Sequence, residues 1–136
     1  MDSNGVLNAN LRKVLLTQIG PKPTAARGEA ARETAVHVLR GLPLGQSIDA
    51  VERIAEPLIG LFWGALIGMS ETEALDAAVQ ARKMTPMLFL QMEWEGIQQA
   101  DTAAKAYRAV VEGAGQRALK TGGCPFVSNM AQDLAA

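Results

Sequence analysis

The first side chains that could do chemistry surround the only histidine of the chain. His37 follows Glu29 and Glu33 at intervals of four residues, so the three lie in a row on one face of a helix. Imidazole and carboxylate groups are ligands for zinc and iron. Carboxylate-bridged di-metal bundles, however, need Glu-x-x-His motifs on two helices, and this sequence has none. We therefore expect surface ion pairs with Arg32 or Arg40, and we predict no metal and no cofactor.

The second reactive group is the thiol of Cys124, which follows Gly122 and Gly123 and precedes Pro125. A nucleophilic cysteine needs a neighbouring base and surroundings that favour the thiolate. The only imidazole belongs to His37, which is far away in the sequence. We therefore interpret Cys124 as a small, half-buried packing residue. Since it is the only cysteine, an intrachain disulfide is excluded and the chain suits a reducing compartment.

Two pairs of carboxylates complete the possible chemistry. Glu52 and Glu56 are four residues apart and share a helix face, whereas Glu93 and Glu95 are two apart and do not. Adjacent carboxylates can be tuned for acid–base catalysis, but a solvated helix face explains both pairs more simply. The glycines match neither the Walker spacing nor the dinucleotide-binding spacing. The sequence therefore predicts a protein that is not an enzyme.

The elements that would position such groups are helices, and one of them is marked by glycine. Gly60, Gly64 and Gly68 lie four residues apart in the apolar segment 57–69, so they form a bare stripe along one helix face. Glycine costs a helix about 0.8–1.0 kcal/mol relative to alanine. Three such costs in line indicate that another element packs closely against the stripe. Because the segment is apolar on all sides, we expect it to be the central helix, buried all round.

This apolar segment is too short to cross a membrane. Glu56 and Glu71 enclose 14 uncharged residues, and a helix of that length rises about 21 Å against a bilayer core of about 30 Å. The first residues are polar and acidic, and no apolar core of a signal peptide follows them. We therefore expect a cytoplasmic protein without a membrane partner.

Helical periodicity begins near the N-terminus. Apolar residues at helical spacing predict a first helix over 6–19 and a second helix that Thr24 caps. Ser47 or Asp49 caps a third helix. Pro57 either kinks that helix or begins a new one at its first position.

The second half of the chain is also helical. Ser70-Glu-Thr-Glu73 is a capping box, and Thr85-Pro86 is a start signal for the next helix. Gly96 and Asp101 are expected to interrupt that helix, and 128–134 is expected to form a short tail helix.

No strand-like alternation and no internal repeat occurs in the sequence. It therefore predicts an all-α fold, a compact bundle of five to seven helices around the glycine-striped helix. We expect a single helical domain over 1–136, in which 1–5 and 122–136 are less regular ends.

Charge is unevenly distributed, although the net charge is only −1. Residues 1–40 carry a net charge of +3, residues 41–80 carry −5 and residues 81–136 carry +1. The basic first part is expected to fold against the acidic middle, or both are solvated. The alternative is that the acidic segment forms a patch for a basic partner.

Apolar side chains are the strongest indication of function. Two segments, 57–69 and 87–92, are apolar on nearly all sides, and burying both in so short a chain calls for a second subunit or a partner. Aromatic residues and methionine dominate the energetics of protein interfaces. We therefore predict that the partner- or ligand-binding residues are Phe62, Trp63, Met87, Phe89 and Trp94.

These features predict a non-enzymatic regulatory or adaptor protein, a homodimer that binds another protein through an apolar helix surface. The alternative is a small helical domain that holds an apolar ligand in a pocket between helices. A third hypothesis, a membrane-active protein that hides its glycine-striped helix, is disfavoured by the shortness of the apolar segment. Two features argue against binding of nucleic acid. The net charge is low, and the segment 86–94, the candidate for a DNA-recognition helix, is apolar and acidic.

Overall fold

The computed structural model describes residues 3–89 and 93–135 of the 136-residue chain. Within them a π-helical turn (Val51–Ala55) leads into α4 and a 3₁₀ turn (Thr85–Phe89) follows α5. The α-helices are α1 (Ser3–Ile19), α2 (Pro21–Ala26), α3 (Gly28–Arg40), α4 (Glu56–Leu66), α5 (Glu71–Met84), α6 (Trp94–Thr121) and α7 (Pro125–Ala135). No strand occurs in this part of the chain, so the predicted all-α bundle is confirmed.

Helices α4 and α5 form the inner pair of the bundle. Helix α3 packs on the outer side of α4, and α6 packs along α5. Helix α7 contacts both α6 and α1, whereas α1 has no substantial contact with α4, α5 or α6 among the described residues. The helices therefore follow one another in space in the order α3, α4, α5, α6, with α7 packed on α6 and α1 packed on α7.

The chain enters α4 through a capped helical turn, and both alternatives predicted for Pro57, a kink in one helix and the start of a new helix, apply there. Asp49 Oδ1 accepts hydrogen bonds from the backbone N–H groups of Val51 (2.8 Å) and Glu52 (3.1 Å), which confirms Asp49 as a cap. The π-helical turn then carries the chain into α4, with Pro57 in its first turn. A π-turn changes the hydrogen-bond register of a helix, so the proline is accommodated where no backbone N–H is required.

The glycine stripe divides at the end of α4. Gly60 and Gly64 lie within α4, but Gly68 lies beyond its C-terminus at a φ of 81°. There the N–H of Met69 donates to Gly64 O (2.9 Å) and the N–H of Gly68 to Ala65 O (3.3 Å), the two bonds of a Schellman cap. The prediction of one helix through 57–69 is therefore wrong at its end, because Gly68 adopts a left-handed conformation that stops it.

Several predicted helix boundaries are also corrected. Thr24 caps no helix but lies inside α2, where its hydroxyl donates to Ile19 O (3.1 Å). Gly96 and Asp101 do not interrupt α6, since Gly96 falls in its first turn and the Asp101 carboxylate accepts from Lys105 Nζ one turn later (2.6 Å). The segment 122–136, expected to be less regular, contains α7, which begins at Pro125.

Small side chains make up the core. The buried apolar side chains are Val14, Val38, Ala74, Ala77, Ala100, Ala103, Ala114, Ala118 and Cys124, and no large side chain in the described part is fully buried. Alanine at the contacts lets helices approach closely but removes little apolar surface from water. Of the described helices, none has both the length and the apolar character needed to cross a membrane.

The expectation that the glycine-striped helix is buried on all sides is wrong. Ile59 is 59% exposed and Trp63 is 45% exposed. Helix α3 covers one side of α4, and α5 covers another side. Because α6 packs on α5, the Ile59–Trp63 side of α4 stays open. This open side forms the candidate site.

Candidate functional site

An open apolar groove runs along α4, α5 and α6. One wall is α4, which contributes Ile59, Trp63 and Ile67, and the opposite wall is Tyr107 of α6. The floor consists of small residues of α5, namely Ala74, Ala77, Ala78 and Ala81. The groove encloses about 340 Å³ and is open to solvent along its length. We call this feature, with those lining residues, the α4–α6 groove.

The depth of the groove follows from the close contact of α4 and α5. A β-carbon on Gly60 would lie 2.9 Å from Ala78 Cβ and 3.0 Å from Ala74 O. At Gly64 it would overlap the methyl group of Ala74. The glycines therefore bring α4 against α5, and the larger side chains of α4 stand above an alanine floor.

One end of the groove is polar. Arg82 of α5 donates to Glu52 Oε2 (3.1 Å) and lies 3.5 Å from Glu56 Oε2. The hydrogen bond that Arg82 donates to Glu52 and the charge of Glu56 raise the pKa of the Arg82 guanidinium above its ordinary value. Two carboxylates thus share one guanidinium, which leaves one net negative charge at this end of the groove.

Of the four predicted binding residues whose side chains are described, only Trp63 lies in the groove. Trp63 lines its α4 wall, and the adjacent Phe62 is partly buried with its ring edge-on to Trp63 at 5.7 Å. Met87, on the 3₁₀ turn, is 49% exposed, and Trp94, at the start of α6, is 70% exposed, both away from the groove. The side chain of Phe89 lies outside the described residues.

Several lining residues were not among the predicted binding residues, Ile59 and Tyr107 in particular. Ile59 precedes Trp63 by one helical turn, and this i, i+4 relation to an aromatic residue was a usable signal. Tyr107 lies on a different helix, and its place opposite Trp63 depends on how α6 packs against α5. Packing between two helices that are distant in the sequence produces no local sequence pattern, so the position of Tyr107 could not be predicted.

The acidic middle segment has different partners from those expected. Its cross-helix ion pairs in the described residues are mainly with the segment 81–136, through Arg82 and through Arg117, whose Nη2 lies 2.6 Å from Glu73 Oε1. From the first forty residues, His37 contributes one contact, Nε2 to Glu71 Oε1 at 3.2 Å. The basic residues of α1 pair with none of these carboxylates.

The side chains considered for chemistry have separate neighbours. In the Glu29–Glu33–His37 row, Glu29 pairs with Arg32 as expected (3.2 Å), whereas His37 pairs with Glu71 of α5. Across residues 3–89 and 93–135 there is no group of three side chains able to hold a metal ion. Cys124 is buried, not half-buried, and its thiol donates to Leu66 O (3.1 Å) at the end of α4.

Comparison with known proteins adds no family. No protein-family model, curated protein or solved structure gives a significant match to this chain. The function has to be inferred from the groove and from the surface around it.

Proposed function

We propose that this chain is a non-enzymatic protein of regulatory or adaptor type, cytoplasmic and homodimeric. The α4–α6 groove takes a helix, either from the second subunit of the homodimer or from the protein that the chain regulates. The observation that carries the proposal is the amount of accessible surface, 9952 Å² for a chain of 14.4 kDa. No metal, cofactor, nucleic acid or membrane has a part in this function.

The surface area supports an assembly. A compact monomer of this mass exposes about 6,800 Å², roughly 3,100 Å² less than this chain does. Large permanent dimer interfaces bury about 2,000–5,000 Å² over both partners, or about 1,000–2,500 Å² for each. The excess surface is therefore larger than the area that such an interface removes from each chain, so it is ample for one.

The shape of the groove supports a helical occupant. Helix-in-groove recognition lays the apolar face of an amphipathic helix into a hydrophobic groove. Ile59 and Trp63 offer large exposed apolar surface on one wall, and the alanine floor leaves room for side chains that enter from above. The groove is continuous and open at the top, which suits an extended helix.

A small apolar ligand is the second candidate. At about 340 Å³ the groove falls at the lower end of ligand pockets, which run from about 300 to 1,000 Å³. Its polar end at Arg82 would orient such a ligand. Ligand pockets, however, cover most of the ligand, and the open groove favours the helix.

Light scattering of the wild type and of two variants tests the proposal. Ile59→Glu places a charge on the exposed wall of the groove, and Leu44→Glu places the same charge on a loop side chain that is 96% exposed. We expect the wild type and Leu44→Glu to be dimers and Ile59→Glu to be a monomer. A monomeric wild type that binds an apolar dye, with loss of dye binding in Ile59→Glu, would contradict the dimer and favour the ligand.

A further inference from the structure

We propose that α1 of a second copy of this chain occupies the α4–α6 groove. Each α1 would dock in the groove of the other copy about a two-fold axis, the commonest symmetry of soluble homo-oligomers. This inference rests on the proposed function, which assigns a helix to the groove, and it names that helix. Three properties of α1 support this inference: its exposed apolar side chains, the spacing of those side chains along the helix, and the charge of Arg12.

Helix α1 leaves part of its apolar surface exposed within its own chain. It packs on α7 through a face on which Val14 is buried and Gln18 Nε2 donates to Asp133 Oδ2 (3.3 Å). Beside this face, Leu11, Leu15 and Ile19 remain 37–38% exposed, and Leu16, further round the helix, is 61% exposed. These side chains are available to a second copy along the edge of the α1–α7 contact.

The spacing of these side chains matches the wall of the groove. Leu11, Leu15 and Ile19 form an i, i+4, i+8 row that spans about 12 Å, at 1.5 Å per residue. On the groove wall, Ile59, Trp63 and Ile67 form the same row over the same length. Rows of i±4 residues from two helices interdigitate in the commonest class of helix packing. The two rows are therefore equal in length and in type.

Charge is also complementary. Arg12 lies on the exposed face of α1, one turn before Leu15 and Leu16, and has no acidic partner among the described residues. The groove has one net negative charge at its polar end, where Glu52 and Glu56 share Arg82. A parallel α1 places Arg12 at that end when Ile19 lies beside Ile67. The basic first segment then meets the acidic middle of the other chain, a contact that the described residues of α1 do not make within one chain.

The arrangement also accounts for the surplus surface. Reciprocal docking uses the groove and the α1 face of both copies, so each chain contributes two contact regions. Pairing of α1 with α1, or a groove filled by an unrelated protein, would each leave one of these regions exposed. The experiment below separates these possibilities.

Complementation between two variants tests the proposal. Leu15→Glu damages the α1 face and leaves the groove intact, whereas Ile59→Glu damages the groove and leaves α1 intact. In a mixture, the intact α1 of the Ile59→Glu chain can enter the intact groove of the Leu15→Glu chain. We expect each variant alone to be a monomer by light scattering and the mixture to form a one-to-one heterodimer, with helix content like the wild type by circular dichroism.

Every other pattern overturns the proposal in an identifiable way. If only Leu15→Glu is monomeric, the dimer forms through α1 alone, and the proposed function of the groove fails as well. If only Ile59→Glu is monomeric, the groove binds a second copy by another element, and the proposed function survives. If both are monomeric but the mixture does not associate, or if the wild type is a monomer, α1 is not the occupant.

A charge variant guards against unfolding of α1 in Leu15→Glu. Arg12→Glu changes a fully solvated side chain, and Lys13→Glu is its matched control, 100° further round the helix and away from the Leu11–Ile19 row. We expect Arg12→Glu to raise the dimer dissociation constant about tenfold and Lys13→Glu to leave it within twofold. Equal effects of the two variants would show that the charge acts through net repulsion and not through the groove.

Discussion

Gly64 of α4 and Ala74 of α5 lie in such close contact that no β-carbon fits on Gly64 without moving one of the two helices. The same contact fixes the floor of the groove, because Ala74 lines it and Gly64 sets the distance between its wall and its floor. The stripe of glycines therefore packs inside the chain and supports the groove from below. A larger residue in the stripe would change the groove and the stability of the bundle together.

The contact predicts a loss of stability in Gly64→Ala. Overpacking costs about 1–3 kcal/mol, and the better helix propensity of alanine offsets about 1 kcal/mol of that. We expect a net fall of up to about 2 kcal/mol in the free energy of unfolding, measured in urea. Gly115→Ala in α6 is the matched control, since nothing lies within 4 Å of its added methyl group, and it should gain about 0.5–1 kcal/mol. Equal stabilities of the two variants would refute the close contact.

Local chemistry explains why parts of the fold could be predicted. In the capping box, the Ser70 hydroxyl accepts from the N–H of Glu73 (3.3 Å), and Glu73 Oε2 accepts from the N–H of Ser70 (2.9 Å). These bonds join residues three apart, so the sequence pattern alone predicts them. The Asp49 cap is predictable for the same reason.

Packing over long sequence distances explains what could not be predicted. Gly96 and Asp101 are weak helix breakers, costing about 1 kcal/mol at most, and the contact of α6 with α5 outweighs that cost. The open side of α4 depends on where α6 lies, and an all-apolar helix carries no mark of which side stays exposed. Trp63 was predicted as a binding residue from its aromatic type alone. Tyr107, on the opposite wall, was missed because its place depends on how α6 packs.

Glu73 predicts an acid-dependent stability. Hydrogen bonds from the backbone N–H and the hydroxyl of Ser70, with a further contribution from Arg117, lower the pKa of the Glu73 carboxyl below its ordinary value of 4.5. A carboxyl whose pKa is lower in the folded state stabilises the fold at neutral pH. This contribution is present above pH 4.5 and is lost as the pH falls through the lower, folded-state pKa.

Urea unfolding measured across the acid range checks this assignment. Glu73→Gln should flatten the decrease of stability with falling pH. Ser70→Ala removes only the hydroxyl bond and keeps the bond from the backbone N–H, which is the largest cause of the lowered pKa, so Ser70→Ala and Arg117→Gln should each flatten the decrease only in part. The assignment is wrong if either variant flattens it as much as Glu73→Gln does.

Cys124 is expected to react only when the bundle opens. It is buried, its thiol donates to Leu66 O, and Gly68 and Ala118 pack beside it. An opening free energy of about 3 kcal/mol slows alkylation about 100-fold relative to the unfolded chain. Iodoacetamide at neutral pH should therefore modify the native protein at least that much more slowly than the protein in urea. Rapid modification of the native state would instead support a reactive thiol.

Trp63 offers a direct report on the groove, because the chain has only two tryptophans. Trp94→Phe leaves Trp63 as the sole reporter, at 45% exposure in the isolated chain, and Trp63→Phe leaves Trp94, which lies away from the groove. An apolar helix over the groove removes water from the indole of Trp63 and shifts its emission to shorter wavelength. On dilution through the dissociation constant, we expect a red shift of emission in Trp94→Phe and no shift in Trp63→Phe. A shift confined to Trp63→Phe would move the interface to the Met87–Trp94 surface, where the sequence analysis placed the rest of the binding residues.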